Sequence, residues 1–224
     1  MEPSAVVLAL PFVGRWLVQN SPARRVPSHG TDLVGSSHAI DFVAVDAGGR
    51  TALGRSWRTV LATERPDLFV GFGAPILAPA DGVVVSVHDG EADHVARRSQ
   101  LTLAAYALGQ ARRVRAGVEA IAGNHVIIEA SHGYVALVHL QAGSVRVRLG
   151  ERVATGDELG RCGNSGNSTQ PHVHVQAMDS IDLAVARGLP IAFRDFRELR
   201  RHGAGPALVD VGVPGEGSVV EAAP

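Results

Sequence analysis

Hydrophobic and polar positions alternate in short runs along most of this chain. "AVVLALPF" (5–12) and "GRWLVQN" (14–20) are two such runs parted by a turn, and "SSHAIDFVAVD" (36–46) centres on a strand at 39–45. "FGAPILAPADGVVVSVHDG" (72–90) holds two short strands around a Pro-Ala-Asp-Gly turn. "GNHVIIEAS" followed by "GYVALVHL" predicts a hairpin turning at 131–133, and "SVRVRLGERVATGDELGRCGNSG" (144–166) predicts further short strands between glycine turns. "PHVHVQAM" (171–178) is a late strand. Side chains on a strand point alternately to two faces, so runs of this kind suit a sheet with one packed face. Their number and spacing predict a mainly β fold, an antiparallel sheet or sandwich.

Two segments break the pattern. Residues 91–118, "EADHVARRSQLTLAAYALGQARRVRAGV", are rich in the good helix formers Ala, Leu, Arg and Gln, and Leu101, Ala104, Ala105 and Leu108 are spaced as on a helix. They predict an inserted, mainly helical segment at about 91–122. Near the C-terminus, "FRDFRELRRHG" (193–203) reads as a short final helix, and the Gly/Pro/Ala-rich 203–224 as a loosely ordered tail. The expected organisation is therefore one domain over 1–202, carrying the insertion, with a flexible tail at 203–224.

Composition narrows the function classes. A chain of 224 residues is long enough for one domain with a substantial core. Aromatics make up only 4%, so Ala, Val and Leu must build that core. The net charge of −1 offers no basic footprint for nucleic acid. The basic side chains are all arginine, and lysine is absent. Cys162 is the sole cysteine, so no intramolecular disulfide can form. The apolar N-terminal run has no basic region ahead of it, is interrupted by Pro11 and lacks a clear cleavage site, so it is not read as a signal peptide. No stretch approaches the roughly 18 uncharged apolar residues of a membrane span.

The candidate chemistry lies in the histidines. In "GNSGNSTQPHVHVQ" (163–176), His172 and His174 are two positions apart, so on a strand both imidazoles face the same way. Pro171 has no N–H and fits a strand start. The pair suits one metal ligand beside one acid/base group, or equally a pair of solvated edge-strand histidines. His139 ends an otherwise apolar run, where a buried imidazole needs a partner for each ring nitrogen; a satisfied structural histidine is the alternative. Asp41 is a carboxylate inside an apolar strand, rare unless paired or metal-bound. His38 tempts a pairing with Asp41, but strand alternation turns it to the opposite face unless a bulge intervenes. His29, in the turn-like "VPSHGTD", is free to be aimed. His88, His94 and His202 read as structural or surface residues, whereas His125 and His132 flank the hairpin leading to His139.

Taken in order, "AIDF" (39–42), "APADGVV" (78–84), "GNHVII" (123–128), "VALVHL" (135–140) and "GERVATGDELGRCGNSGNSTQPHVHVQ" (150–176) resemble the zinc metallopeptidases of the lysostaphin/LytM type, the M23 peptidases that cut peptide bonds in bacterial cell-wall peptidoglycan. The resemblance covers residues 28–176 apart from the insertion. It implies a lysostaphin/LytM-type (duplicated-hybrid-motif-like) fold and one Zn2+ per chain. His174 and Asp41 are implied as zinc ligands, His172 and His139 as catalytic. The remaining ligand is a histidine upstream of the aspartate. The commonest pattern puts it four positions before the aspartate, where this chain has Ser37. Some relatives carry a Ser-His further upstream, matched here by Ser28-His29, so His29 is the expected ligand and His38 the fallback. Leu137 replaces a tyrosine frequent in the family two places before the catalytic histidine.

Two imidazoles and a carboxylate with an open position form a catalytic zinc pattern. Such a metal lowers the pKa of water and polarises a scissile carbonyl. The ligands cannot shuttle protons while bound to it, so His139 and His172 are left to take the proton and to bind the developing charge. Asn164 and Asn167 offer amide hydrogen bonds to a substrate, or simple turn chemistry. The glycines of 163–166 would allow a substrate backbone close approach. A lipoyl- or biotinyl-carrier module shares the glycine-punctuated hairpins but needs a lysine, which is absent. A degenerate member of the family acting as a binding or regulatory module is the surviving alternative. The implied substrate, peptidoglycan or another peptide, lies outside the cytoplasm, whereas no export signal is visible.

Overall fold

The computed structural model describes residues 4–52, 54, 63–96, 121–183, 185–199 and 205–223. Its strands, in chain order, are β1 (Val6–Leu8), β2 (Trp16–Gln19), β3 (Ile40–Ala44), β4 (Pro75–Leu77), β5 (Gly82–His88), β6 (Asn124–Ala130), β7 (Gly133–Leu140), β8 (Arg152–Val153), β9 (Glu158–Arg161), β10 (Val173–Met178), β11 (Gly188–Leu189), β12 (Ile191–Leu199), β13 (Ala207–Gly212) and β14 (Val219–Ala222). Twelve of them form one sheet in the order β1-β12-β14-β2-β3-β10-β7-β6-β5-β8, with β11 added to β10 and β13 to β12. β4 and β9 form a separate two-stranded sheet. The fold is mainly β, as the alternation predicts. It is mixed rather than purely antiparallel, because β1 pairs with β12 in parallel.

The period of two assigns the faces of the central strands. Ile40 and Phe42 on β3, Val135 and Leu137 on β7, Ile128 on β6 and Val173 and Val175 on β10 point into one continuous core. Phe12 stacks on Trp16 with centroids 4.5 Å apart and meets Phe42 edge-on at 5.0 Å, which in turn meets Phe193 at 5.3 Å. These few aromatics anchor a core otherwise made of aliphatic side chains. The intervening residues face the opposite way, and Asp41, Ile127, Ala136, Val138, His174 and Gln176 all line a single cavity there.

The two C-terminal expectations are overturned. The described part of the segment expected as a final helix, 193–199, lies in β12, and 205–223 is no loose tail. β13 pairs with β12, and β14 is threaded between β12 and β2, with Val220 fully buried. Phe193 and Phe196 are spaced as on a helix, yet both are buried from a strand. Asp195 between them takes φ +53°, which breaks the alternation. The expected helical insertion falls mostly outside the described residues, since nothing between 97 and 120 is described. Among the described residues no helix is long and apolar enough to cross a membrane.

Candidate active site

β3 and β10 are antiparallel neighbours whose register sets Asp41 directly opposite His174. Asp41 Oδ1 lies 3.0 Å from His174 Nδ1, and Asp41 Oδ2 lies 3.1 Å from His29 Nε2. Asn20, at the end of β2, donates its amide N–H to Asp41 Oδ2 at 2.7 Å. The carboxylate is buried, and burial alone would disfavour its charge. The neighbouring imidazoles of His172, His174 and His29 outweigh that cost and hold the carboxyl well below the usual carboxylate range.

The structure separates the two candidates for the upstream histidine. His29 reaches Asp41 from the turn after Pro27, with its Nδ1 3.0 Å from Ser28 Oγ. His38 lies outside β3, and its Nδ1 is 3.1 Å from Ser37 Oγ. Potential ligand atoms of His29, Asp41 and His174 lie within 4.8 Å of one another; His38 is not in that group.

His174 carries the best-defined protonation pattern. Gln176 donates its amide N–H to the Val34 carbonyl, so its Oε1 must accept from His174 Nε2–H at 2.9 Å. Nδ1 is then left with a lone pair, facing a carboxylate oxygen 3.0 Å away. Two acceptors at that distance require a positive species between them, a proton or a metal ion. The rise in the His174 pKa reflects the first case: burial works against protonation, but the Asp41 hydrogen bond overcomes it. The donor set, two imidazoles and one carboxylate, fits a zinc ion equally well.

His139 and His172 flank this group. Simple alternation along β7 would send His139 to the core face with Val135 and Leu137. Instead the register with β6 slips between Asn124 and His125, and His139 takes φ +67°. This bulge turns the imidazole onto the cavity and lets Leu140 drop into the core. His139 Nδ1–H donates to the Ser165 carbonyl at 2.9 Å, and His172 Nδ1–H to the Gln170 carbonyl at 2.8 Å. Each ring therefore keeps Nε2 for the site when neutral. The His172 Nε2 is 3.6 Å from Asp41 Oδ1, and the rings of His139 and His172 are 4.7 Å apart. Burial and the charges of His172 and His174 hold His139 well below the ordinary imidazole value; burial also lowers His172, against the pull of Asp41.

The loop residues divide. Asn167 lines the cavity. Asn164 is fully buried away from it, donating to the His94 carbonyl and accepting from Ser168 Oγ. The loop glycines approach their own chain rather than a ligand: Gly163 abuts the backbone of Gln141, and Gly166 that of Gly123. His125 lines the cavity from β6, with its Nδ1–H donated to the Gly123 carbonyl, and stacks on His88. His132 is exposed at the hairpin turn. His202 is outside the described residues. Asn20 and Gln176 were missed by the sequence reading. Gln176 carries a usable signal, being a polar residue one alternation beyond His174 on the same strand face.

His29, Asp41, His139, His172, His174 and Gln176 meet in one cavity of about 700 Å3, a size typical of ligand pockets. Residues 64–185, more than half of the chain, match the model of peptidase family M23. The match includes His139, His172 and His174, while His29 and Asp41 lie upstream of it. Among solved structures, the chain is similar to the catalytic domain of lysostaphin from Staphylococcus simulans (18% identity over 70% of this chain and 78% of that one, TM-score 0.38). It is also similar to a mutant catalytic domain of the prophage-encoded M23 protein EnpA from Enterococcus faecalis (18%, 84% and 93%, TM-score 0.40) and to the deep-sea M23 metalloprotease pseudoalterin (14%, 84% and 76%, TM-score 0.42). These likenesses are weak, and the assignment rests on the sequence match: the chain belongs to peptidase family M23.

Proposed function

We propose that this protein is a zinc-dependent endopeptidase that hydrolyses peptide bonds, with the crosslinks of peptidoglycan as its substrate class. The observation that carries the reading is the group of half-buried His29 with buried Asp41 and His174, the acceptor atoms of Asp41 and His174 turned towards each other. His29, Asp41 and His174 would hold the metal. A zinc ion there supplies Lewis-acid polarisation of the scissile carbonyl and acidifies water to a nucleophile near neutral pH. His139 and His172 do the remaining work from Nε2: one, as the neutral ring, accepts the proton of the attacking water, and the other, as the imidazolium, hydrogen-bonds the developing oxyanion. The Ser165 and Gln170 carbonyls accept from Nδ1–H in either protonation state and so leave both Nε2 atoms to the site. Asn167, which lines the cavity, would contact the substrate.

The test is bound zinc and cleavage of peptidoglycan and oligoglycine by the protein purified in zinc, with His174→Ala alongside. One zinc per chain and cleavage are expected in the parent, with both lost in the variant. A parent that binds no zinc overturns the proposal. A parent that binds zinc and cleaves no peptide would be a binding module instead.

A further inference from the structure

His29, Asp41, His139, His172 and His174 gather on one part of the cavity wall, and apolar side chains of β6 and β7 line another, with His125 and Gln176 beside them. The floor continues from β10 across β7 to β6 without a break. Val138 stands opposite His174 and Ala136 opposite Gln176 on one side, while Ala136 also pairs with Ile127 on the other. All three face the cavity, although each is less than 10% exposed. Leu183 and Ala186 pack against this floor and border the cavity beside it, and Ala122 closes it from the start of β6. Ala136 is the smallest side chain of this row, between Gln176 and Ile127 on the neighbouring strands.

Charge sharpens the picture. Among the described residues lining the cavity, Asp32 and Asp41 are carboxylates and none is arginine; the chain has no lysine. A substrate carboxylate would find no fixed cation among these described residues and would be repelled by Asp32. An apolar side chain would instead cover surface that favours leaving water.

We propose that Ile127, Ala136 and Val138 form a subsite for an uncharged, apolar side chain on the substrate residue next to the hydrolysed bond. The proposal rests on the catalytic reading of the adjacent histidines. The preferred peptide then carries a residue of valine or leucine size at that position. Glycine leaves the floor bare, so oligoglycine is a poor substrate, and an acidic residue is poorer still.

The test compares the zinc-loaded full chain on peptides carrying Gly, Ala, Leu or Asp on either side of the cleaved bond. On one side, kcat/KM for Leu should exceed that for Gly by at least about tenfold, the worth of burying such a side chain, with Asp no better than Gly. Ala136→Leu puts bulk where the substrate side chain would lie and should bring the Leu/Gly ratio towards one. Should that variant fail to fold, Leu183→Asp at the half-buried rim should lower the same ratio. Equal or better cleavage of the Gly or Asp peptide on both sides overturns the subsite. A second measurement stands apart from activity: the methyl resonances of Ile127 and Val138 during titration with Ac-Ala-Leu-Ala-NH2 and Ac-Ala-Gly-Ala-NH2. If nothing is cleaved but only the leucine peptide shifts these methyls, the subsite stands and the catalytic reading falls. If neither peptide shifts them, the subsite is refuted whatever the activity.

Discussion

Asp41 and His174 face each other across neighbouring strands with two hydrogen-bond acceptors 3.0 Å apart. Such a pair is stable only around a positive charge, and Asn20 and His29 converge on the second carboxylate oxygen. Asp41→Asn keeps the shape and removes the charge. It should lower zinc affinity by at least about 100-fold, more than the loss typical of an outer-shell partner. Competition with a chromogenic chelator measures this, and unchanged affinity would remove Asp41 from the ligand set.

The upstream ligand is decided in the same assay. His29 lies against Asp41, whereas His38 is turned to Ser37. His29→Ala should abolish stoichiometric zinc binding, and His38→Ala should leave it within a few-fold of the parent. The reverse outcome would mean that zinc draws the chain around residue 38 into the site.

How much of this was legible follows from where the alternation holds. β3, β5, β6, β7 and β10 were readable because core and cavity positions alternate along them, and the same rule put His172 and His174 on one side. The position of His139 was not readable, because a one-residue bulge reverses its direction and no local residue type signals the slip. β12 was misread for a related reason: the turn at Asp195 gives the buried phenylalanines a helical spacing. The C-terminal strands were hidden by their glycines and prolines. What orders them is pairing with β12 and β2, a long-range partner that composition does not reveal. Asn164 looked like a substrate contact because turn chemistry and recognition use the same side chain.

Gln176 acts on the site through His174. Its orientation is fixed by the Val34 carbonyl, and it in turn keeps a proton on Nε2, so that Nδ1 shares its positive partner, proton or metal, with Asp41. Gln176→Leu removes the acceptor of Nε2–H, so the protonated ring of His174 should be less favoured in the metal-free protein, seen as a lower titration midpoint of its 15N ring shifts. Zinc affinity should fall by about 10–100-fold, as for other outer-shell partners of metal-bound histidines. Gln176→Glu retains an acceptor and should recover most of the affinity. A loss of affinity with an unchanged midpoint would mean that Gln176 contributes packing alone.

Away from the site, Asp81 ties the turn before β5 to Thr155, accepting from its backbone N–H at 2.7 Å and its hydroxyl at 2.8 Å. These bonds, the backbone one foremost, lower the Asp81 pKa from its ordinary value. A carboxyl depressed in the folded state stabilises the fold above the unfolded-state value, and that contribution is lost as pH falls through the folded one. Asp81→Asn should therefore lower the melting temperature at pH 7, with the gap to the parent narrowing below about pH 4. A gap that stays constant down to about pH 2, below the ordinary carboxyl range, would show that the charge plays no part.

The C-terminal strands make the sharpest stability prediction. β14 lies between β12 and β2, so removing it would leave both with unpaired backbone in the middle of the sheet. Ser21, beside β2, also donates its hydroxyl to the Pro214 carbonyl, and Glu198 accepts from Gly215 N–H, so the connection before β14 is tied down as well. Truncation after residue 204 should give protein that is insoluble or lacks a cooperative thermal transition. Val220→Ala is the milder version. It removes about two methylene equivalents from a fully buried position and should cost roughly 2 kcal/mol, transfer and cavity together, by urea unfolding. A truncated chain that melts like the parent would show that β14 is dispensable and that the segment behaves as the loose tail its composition suggests.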